Sequence, residues 1–325
     1  MNKSINILIS SAGRRVSLVE AFKKELKLIF PEGKVFATDM NPSLSAACQV
    51  ADLAFKVGRI SEKNTILEIL DICKKQNIKL VVPTIDTELQ IFAEHQALFN
   101  ENGIKIIVSD LGFIKICRNK WLTNDFFVEK NIPIPAKIDK ENLSYPFFIK
   151  PFDGSLSKDI ALIQEEKDLT RQQMENPKLM FMEYLSPTQH DEYTVDMYYG
   201  KDNMLKCLVP RHRVEIRGGE ISKGLTMKNE VLGYLKEKLQ KIDGAIGCLT
   251  LQLFLHKTNK NIYGIEINPR FGGGFPMSYQ AGANYPKWLI EEYIVGKRID
   301  YFENWEENLL LLRYDTEVIV HEYAL

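Results

Sequence analysis

The chain has 325 residues, 45 % hydrophobic and 26 % charged, with a formal net charge of −1. That length suggests two or three structural units, and the composition is that of an ordinary soluble globular protein. A near-zero net charge gives no electrostatic pull toward nucleic acid or an acidic membrane, so neither is expected as a partner.

Cys48, Cys73, Cys117, Cys207 and Cys248 form no C-x-x-C pair and are odd in number. A disulfide framework is therefore not expected, and a reducing cytoplasm is the simpler setting. The first apolar run, INILI at 5–9, gives way at once to polar SSAGRR. It is too short for a signal-peptide core or a membrane span.

Strand-like runs follow at 34–38, 53–57, 79–83 and 104–108, separated by helical patterns at 16–29, about 62–76 and 86–100. This alternation predicts a parallel, doubly wound sheet. In such sheets ligands gather beyond the carboxyl ends of the strands. The polar residues there are Ser10, Ser11, Gly13, Arg14 and Arg15, then Asp39 and Asn41, then Thr84, Asp86 and Glu88. Thr84 and Asp86 equally suit helix capping. Arg14 and Arg15 in a helix's first turn oppose the helix dipole, which favours a role with an anion or substrate.

Beyond residue 115 the pattern changes. A helix near 119–130 leads into NIPIP, and β-rich pieces follow at 147–151, 159–163, 179–184, 191–199, 204–213, 247–256 and 261–268. Helices are expected near 165–175, 227–243 and 285–296, giving an α+β region with antiparallel hairpins.

The most informative segment is YGIEINPRFGGG at 263–274. In a strand Glu266 and Asn268 share a face, and two oxygen donors so placed suit a hard cation such as Mg²⁺. Gln252 is the single polar side chain in LTLQLFL, where it needs a partner. Arg270 follows, then glycines that allow a ligand close to the backbone. In PFFIKPFDGSLSKDIALI at 146–163, Lys150 ends a strand and a loop with Gly154, Ser155 and Ser157 follows. Small residues between two strands can cover phosphates, whereas a plain hairpin is the bland alternative.

Glu183 and Glu192 flank a linker at 183–192, where a crossing strand could meet an adenine edge and a carboxylate a ribose. VPRHRVEIRGGEISKGLT at 209–226 carries Arg211, Arg213, Arg217 and Lys223, either a solvated hairpin or an anion cradle. No P-loop, zinc-ligand spacing or G-x-S-x-G elbow occurs.

Taken in order, these segments resemble the ATP-grasp superfamily, and within it single-module relatives of the carbamoyl-phosphate synthase large chain, over essentially the whole length. The resemblance rests first on IEINPRFGGG and second on the Lys150 loop. It implies a mixed α/β and α+β protein: a Rossmann-like pre-ATP-grasp domain at 1–115, a lid subdomain at 116–188, and a C-terminal subdomain with the metal and substrate site at 189–325. It implies ATP and Mg²⁺, with Mn²⁺ as a substitute.

By the same resemblance Lys120 and Lys150 contact ATP phosphates, Gly154, Ser155 and Ser157 belong to the phosphate loop, and Glu183, Tyr184 and Leu185 form the adenine hinge. Glu192 takes the ribose; Gln252, Glu266 and Asn268 hold the metal. Catalysis falls to Arg270, Lys150 and Arg211, and substrate binding to Arg14, Arg15, Thr84, Asp86, Glu88, Arg213, Arg217 and Lys223. DGSLSKD is poorer in glycine than the family loop, and a single module lacks the tandem repeat and the glutaminase partner needed to make carbamoyl phosphate.

The activity implied is ligation of a small-molecule carboxylate to an amine through an acyl phosphate, with release of ADP and phosphate. Three alternatives stand beside it. One is a carboxylase or carbamate-phosphorylating enzyme on the same fold, and another a non-catalytic ATP-binding protein. The third, a nicotinamide-dependent oxidoreductase, lacks the G-x-G-x-x-G it would need. The oligomeric state is left open by the sequence, with a homodimer the commonest arrangement for such a protein.

Overall fold

A computed structural model describes residues 5–154 and 160–323. Ser155 and Ser157 lie outside the described residues.

The first unit is a parallel five-stranded sheet. Its strands are β1 (Asn6–Ser10), β2 (Val35–Asp39), β3 (Leu53–Lys56), β4 (Ile78–Pro83) and β5 (Lys105–Ile106), ordered β3-β2-β1-β4-β5. The central strands β1, β2 and β4 are runs of Val, Ile, Leu, Phe and Ala, buried almost throughout, as a sheet covered on both faces requires. Helix Val16–Ile29 buries Leu18, Val19, Phe22 and Leu26, the i, i+4 stripe of an amphipathic helix. The strand order reverses between β1 and β4, so their carboxyl ends open a crevice at Ser10 and Pro83.

Next comes a small antiparallel sheet, β6 (Phe147–Pro151), β7 (Ala161–Ile163) and β8 (Leu179–Glu183), ordered β7-β6-β8. It carries its own core of Phe147, Ile149, Ile163, Leu179 and Phe181. The last unit is an antiparallel six-stranded sheet: β9 (His190–Tyr199), β10 (Leu205–Arg217), β11 (Glu220–Thr226), β12 (Gly247–His256), β13 (Ile262–Asn268) and β14 (Leu310–Leu312). Its order is β13-β12-β9-β10-β11-β14.

One continuous core joins the first and last units. Phe22 meets Phe271 edge-on at 5.9 Å between ring centres, and Phe271 meets Phe275 at 4.6 Å. Each buried aromatic of this kind contributes roughly 1.5–3 kcal/mol, so the two large sheets are held as one body while the small sheet has a separate core.

The α/β and α+β division is thus as expected, with differences in detail. The helix expected over 86–100 divides into Asp86–Glu94 and Gln96–Glu101 at His95. The one near 285–296 is an α-helix, Tyr285–Ile290, followed by a π turn, Glu291–Val295. Helix Leu111–Arg118 and strands β11 and β14 were not expected from the sequence. The five cysteines are free thiols, and among the described residues no helix is long and apolar enough to cross a membrane.

Candidate active site

A cleft of about 500 Å³ lies between the small sheet and the six-stranded sheet and reaches the crevice above β1 and β4. The small sheet contributes Lys150, Met182 and the Glu183–Leu185 segment; the long sheet contributes Glu192, Arg211, Gln252, Glu266 and Asn268; the first unit contributes Arg15 and Asp86.

Gln252 and Glu266 are register partners across β12 and β13, and Thr250 faces Asn268 two residues on. Asn268 Nδ2 donates to Glu266 Oε1 at 3.0 Å, and Gln252 Nε2 donates to Glu192. Glu192 also accepts from Arg213 Nη1 at 2.7 Å, and burial pushes its carboxyl above the usual range against that arginine. The expected ribose acceptor therefore sits beside β12, engaged by Gln252 and Arg213.

Lys120 begins a helix, Lys120–Glu129, capped by Asn119, whose side chain accepts from Trp121 N. Its ammonium donates to Gly154 O at 2.6 Å and stands 4.0 Å from Glu266 Oε2. Lys150, near the end of β6, is buried, and burial lowers its ammonium to about 8, with Lys120 adding to the fall and Glu266 opposing it. Two cations thus face the same carboxylate. Glu183 N donates to Ala136 O at 2.7 Å, and its carboxylate accepts from Ala136 N at 3.0 Å, so Tyr184 and Leu185 leave β8 along the cleft wall. Phe148, Ile160, Met182 and Phe254 make that part of the wall apolar.

At the other end, Arg211 is 1 % exposed and paired with Asp196 through Nε (2.8 Å) and Nη2 (3.0 Å). Thr250 and Ser278 also donate to Asp196, at 3.2 and 2.6 Å. A buried charge pair with further hydrogen bonds on the carboxylate is the arrangement that makes burial tolerable. Gly274 packs against Arg211 Nη1, where any side chain would collide. Arg270 donates to Asp86 through Nε (2.9 Å) and Nη2 (2.6 Å) in a fork pairing. Arg15 donates to Thr84 O at 3.0 Å; burial lowers its guanidinium to about 10, with nearby Arg270 the second cause.

Several residues expected to bind substrate do not reach the cleft. Arg14 is exposed, because adjacent residues at a helix start point apart. Thr84 is fully buried and donates to Ser10 O and Ser11 O at 2.9 and 2.8 Å. Glu88 is fully buried and caps its helix, accepting from Thr84 N (2.6 Å) and Ile85 N (3.1 Å). Arg217 and Lys223 lie on the β10–β11 hairpin and pair with Asp315 and Glu215, because the register shifts between Arg213 and Ile216 bring Ile216 rather than Arg217 to the cleft wall. Arg118, Thr250 and Glu220 line the cleft without having been singled out; the CRNK segment holding Lys120 was the available signal for Arg118.

Comparison with known families matches residues 7–107 to the PylC-like N-terminal domain and residues 175–312 to the ATP-grasp family of the biosynthetic pathway with the Ter operon. The second match assigns residues 175–312 to the ATP-grasp superfamily. The matched segments contain Glu192, Gln252, Glu266, Asn268 and Arg270; Lys120 and Lys150 fall in the stretch between them.

No curated protein matches the chain in sequence. Among solved structures, N5-carboxyaminoimidazole synthetase from Staphylococcus aureus complexed with ADP is similar at 18 % identity and TM-score 0.70, covering 96 % of this chain and 82 % of that one. Biotin carboxylase from Campylobacter jejuni in a β-γ-ATP complex is similar at 13 % identity and TM-score 0.72, covering 94 % and 74 %. Pyruvate carboxylase from Rhizobium etli is similar at 14 % identity and TM-score 0.71; the match covers 94 % of this chain but 30 % of that one. At these identities the likeness is one of fold.

Proposed function

We propose that the chain is an ATP-dependent ligase that phosphorylates a small-molecule carboxylate and passes the acyl group to an amine, releasing ADP and phosphate. The observation that carries this reading is the convergence of Lys120 and Lys150 on Glu266, beside Gln252 and Asn268, in one cleft with an apolar wall.

The donor set fits Mg²⁺. Glu266, Asn268 and Gln252 offer hard oxygen donors, and Glu192 stands beside Gln252. Among the described residues no three His, Cys, Asp or Glu side chains cluster as a metal cage. A site with one or two carboxylates that relies on phosphate oxygens and water for the rest is the usual Mg²⁺ arrangement. When bound, the cation supplies charge neutralisation across the phosphates, and Mn²⁺ would serve similarly.

The protein's own residues do the following. Phe148, Met182, Leu185 and Phe254 take the base, and the backbone at Glu183–Leu185 its polar edge. Lys120 leaves Gly154 O for a phosphate oxygen, and Lys150 gains an anion that repays its desolvation. Arg211 and Arg270 flank the reacting carboxylate and the transferring phosphoryl group, stabilising charge where it develops. The small sheet closes over the cleft and excludes water from the acyl phosphate.

Thermal unfolding with ATP or NADPH, each with and without Mg²⁺, tests the nucleotide class. A ligand at ~100 times its dissociation constant adds about 2.7 kcal/mol. A Mg²⁺-dependent rise with ATP supports the proposal; a rise with NADPH alone refutes it. ADP release stimulated by bicarbonate without an amine would move the chemistry to carboxylation.

A further inference from the structure

We infer that Asp86, supplied by the first unit, is a positioning residue that sets the Arg270 guanidinium for the terminal phosphate of the nucleotide. This rests on the nucleotide reading above.

Arg270 follows β13 by two residues and would otherwise be a long side chain free to sample many rotamers. Asp86 takes two of its donors in a fork, at 2.9 and 2.6 Å. Its Nη1 donates to Phe271 O at 3.2 Å, and Nη2 lies 3.4 Å from Asn268 Oδ1. The guanidinium plane is thereby fixed next to the candidate metal ligands, with both ion-pair side chains largely shielded from solvent.

Asp86 is itself held. It opens helix Asp86–Glu94, and Glu88 two residues on clasps the preceding backbone through Thr84 N and Ile85 N. The other oxygen of Glu88 accepts from Ser10 Oγ at 2.6 Å and Ser11 Oγ at 2.8 Å. Ser11 sits at φ 50°, a left-handed conformation that a non-glycine residue adopts only when its surroundings impose it. The loops after β1 and β4 are thus tied into one rigid edge, and Asp86 is its projecting point. Its fork crosses from the parallel sheet to the metal-ligand strand and sets where Arg270 can stand. Fixing a charge in advance of the reaction is what makes it effective on a phosphoryl group.

The test compares dissociation constants of ADP and of the non-hydrolysable analogue adenylyl imidodiphosphate, both with Mg²⁺, in a double-mutant cycle of Asp86→Asn and Arg270→Lys. The wild type should prefer the analogue. Asp86→Asn should reduce that preference about tenfold while leaving ADP affinity within about twofold. Adding it to Arg270→Lys should cost nothing further, since residues acting through one another are non-additive. Asp86→Glu, which keeps the ion pair, should restore most of the preference.

Should Asp86→Asn fail to fold, Glu88→Gln loosens the same edge without touching the pair and is read in the same way, with a smaller loss. Additive effects, an unchanged preference in Asp86→Asn, or no preference in the wild type would overturn the inference. Absence of any Mg²⁺-dependent nucleotide binding by the wild type would instead refute the function it rests on.

Discussion

Replacing Lys150 by methionine separates what this ammonium costs the free protein from what it does for the nucleotide. In the free protein burial holds it at about 8 rather than 10.5. At 1.36 kcal/mol per unit this corresponds to a penalty of about 3 kcal/mol at pH 7, an upper bound because Lys150→Met also changes packing. The folded state's lysine value lies below the unfolded one, so the penalty is complete below pH 8. Between about 8 and 10.5 the unfolded chain binds more protons, and wild-type stability relative to the variant rises with pH there.

Lys150→Met should therefore match or exceed wild-type stability at pH 7, by ~1–3 kcal/mol, and lose this advantage by pH 10. With MgATP the order should reverse, because only the wild type gains the phosphate contact. Wild-type nucleotide affinity should also fall as pH passes 8, approaching tenfold per unit. Denaturant unfolding from pH 6 to 10, with and without MgATP, measures all three. A variant destabilised at every pH, with undiminished nucleotide stabilisation, would refute the reasoning.

Glu266→Ala should fold normally, since Glu266 is only half-buried, but lose Mg²⁺-dependent nucleotide stabilisation; calorimetric titration checks this. Asp196→Asn leaves Arg211 buried without its counter-charge and should cost about 3–5 kcal/mol in denaturant unfolding. Arg217→Ala and Lys223→Ala remove exposed pairs and should leave the denaturant midpoint and the nucleotide affinity unaltered; a loss of affinity would return these residues to the site.

The parts of the site that were legible in the sequence are those whose spacing alone fixes geometry. In β13, two-residue periodicity puts Glu266 and Asn268 in the cleft together, and a lone Gln252 in an apolar strand finds its partner there. The lysine at the end of an apolar strand likewise lands in the cleft. The substrate end was less legible, because the same residue types serve structure. Thr84 reads equally as a binding group or a cap and Glu88 as a binding group, and which role each takes depends on whether Ser10 and Ser11 lie close enough to use them. Only tertiary packing decides that.

Arg217 shares a two-residue phase with Arg211 and Arg213, but the register irregularity between them brings Ile216 to the cleft wall in its place. β11 was hidden by Lys223 and Gly224, which break the apolar alternation, and β14 by its three-residue length. Helix Leu111–Arg118 follows an apolar strand so closely that LGFIKICR gives no boundary.

The most direct measurement of the central claim is ADP release by the full chain with MgATP across a matrix of small carboxylates and amines, with Glu266→Ala as control. The proposed ligase predicts ADP and phosphate in equal amounts only where a carboxylate and an amine are both present, and none from the variant. ADP release that needs no carboxylate, or that Glu266→Ala retains, would contradict it.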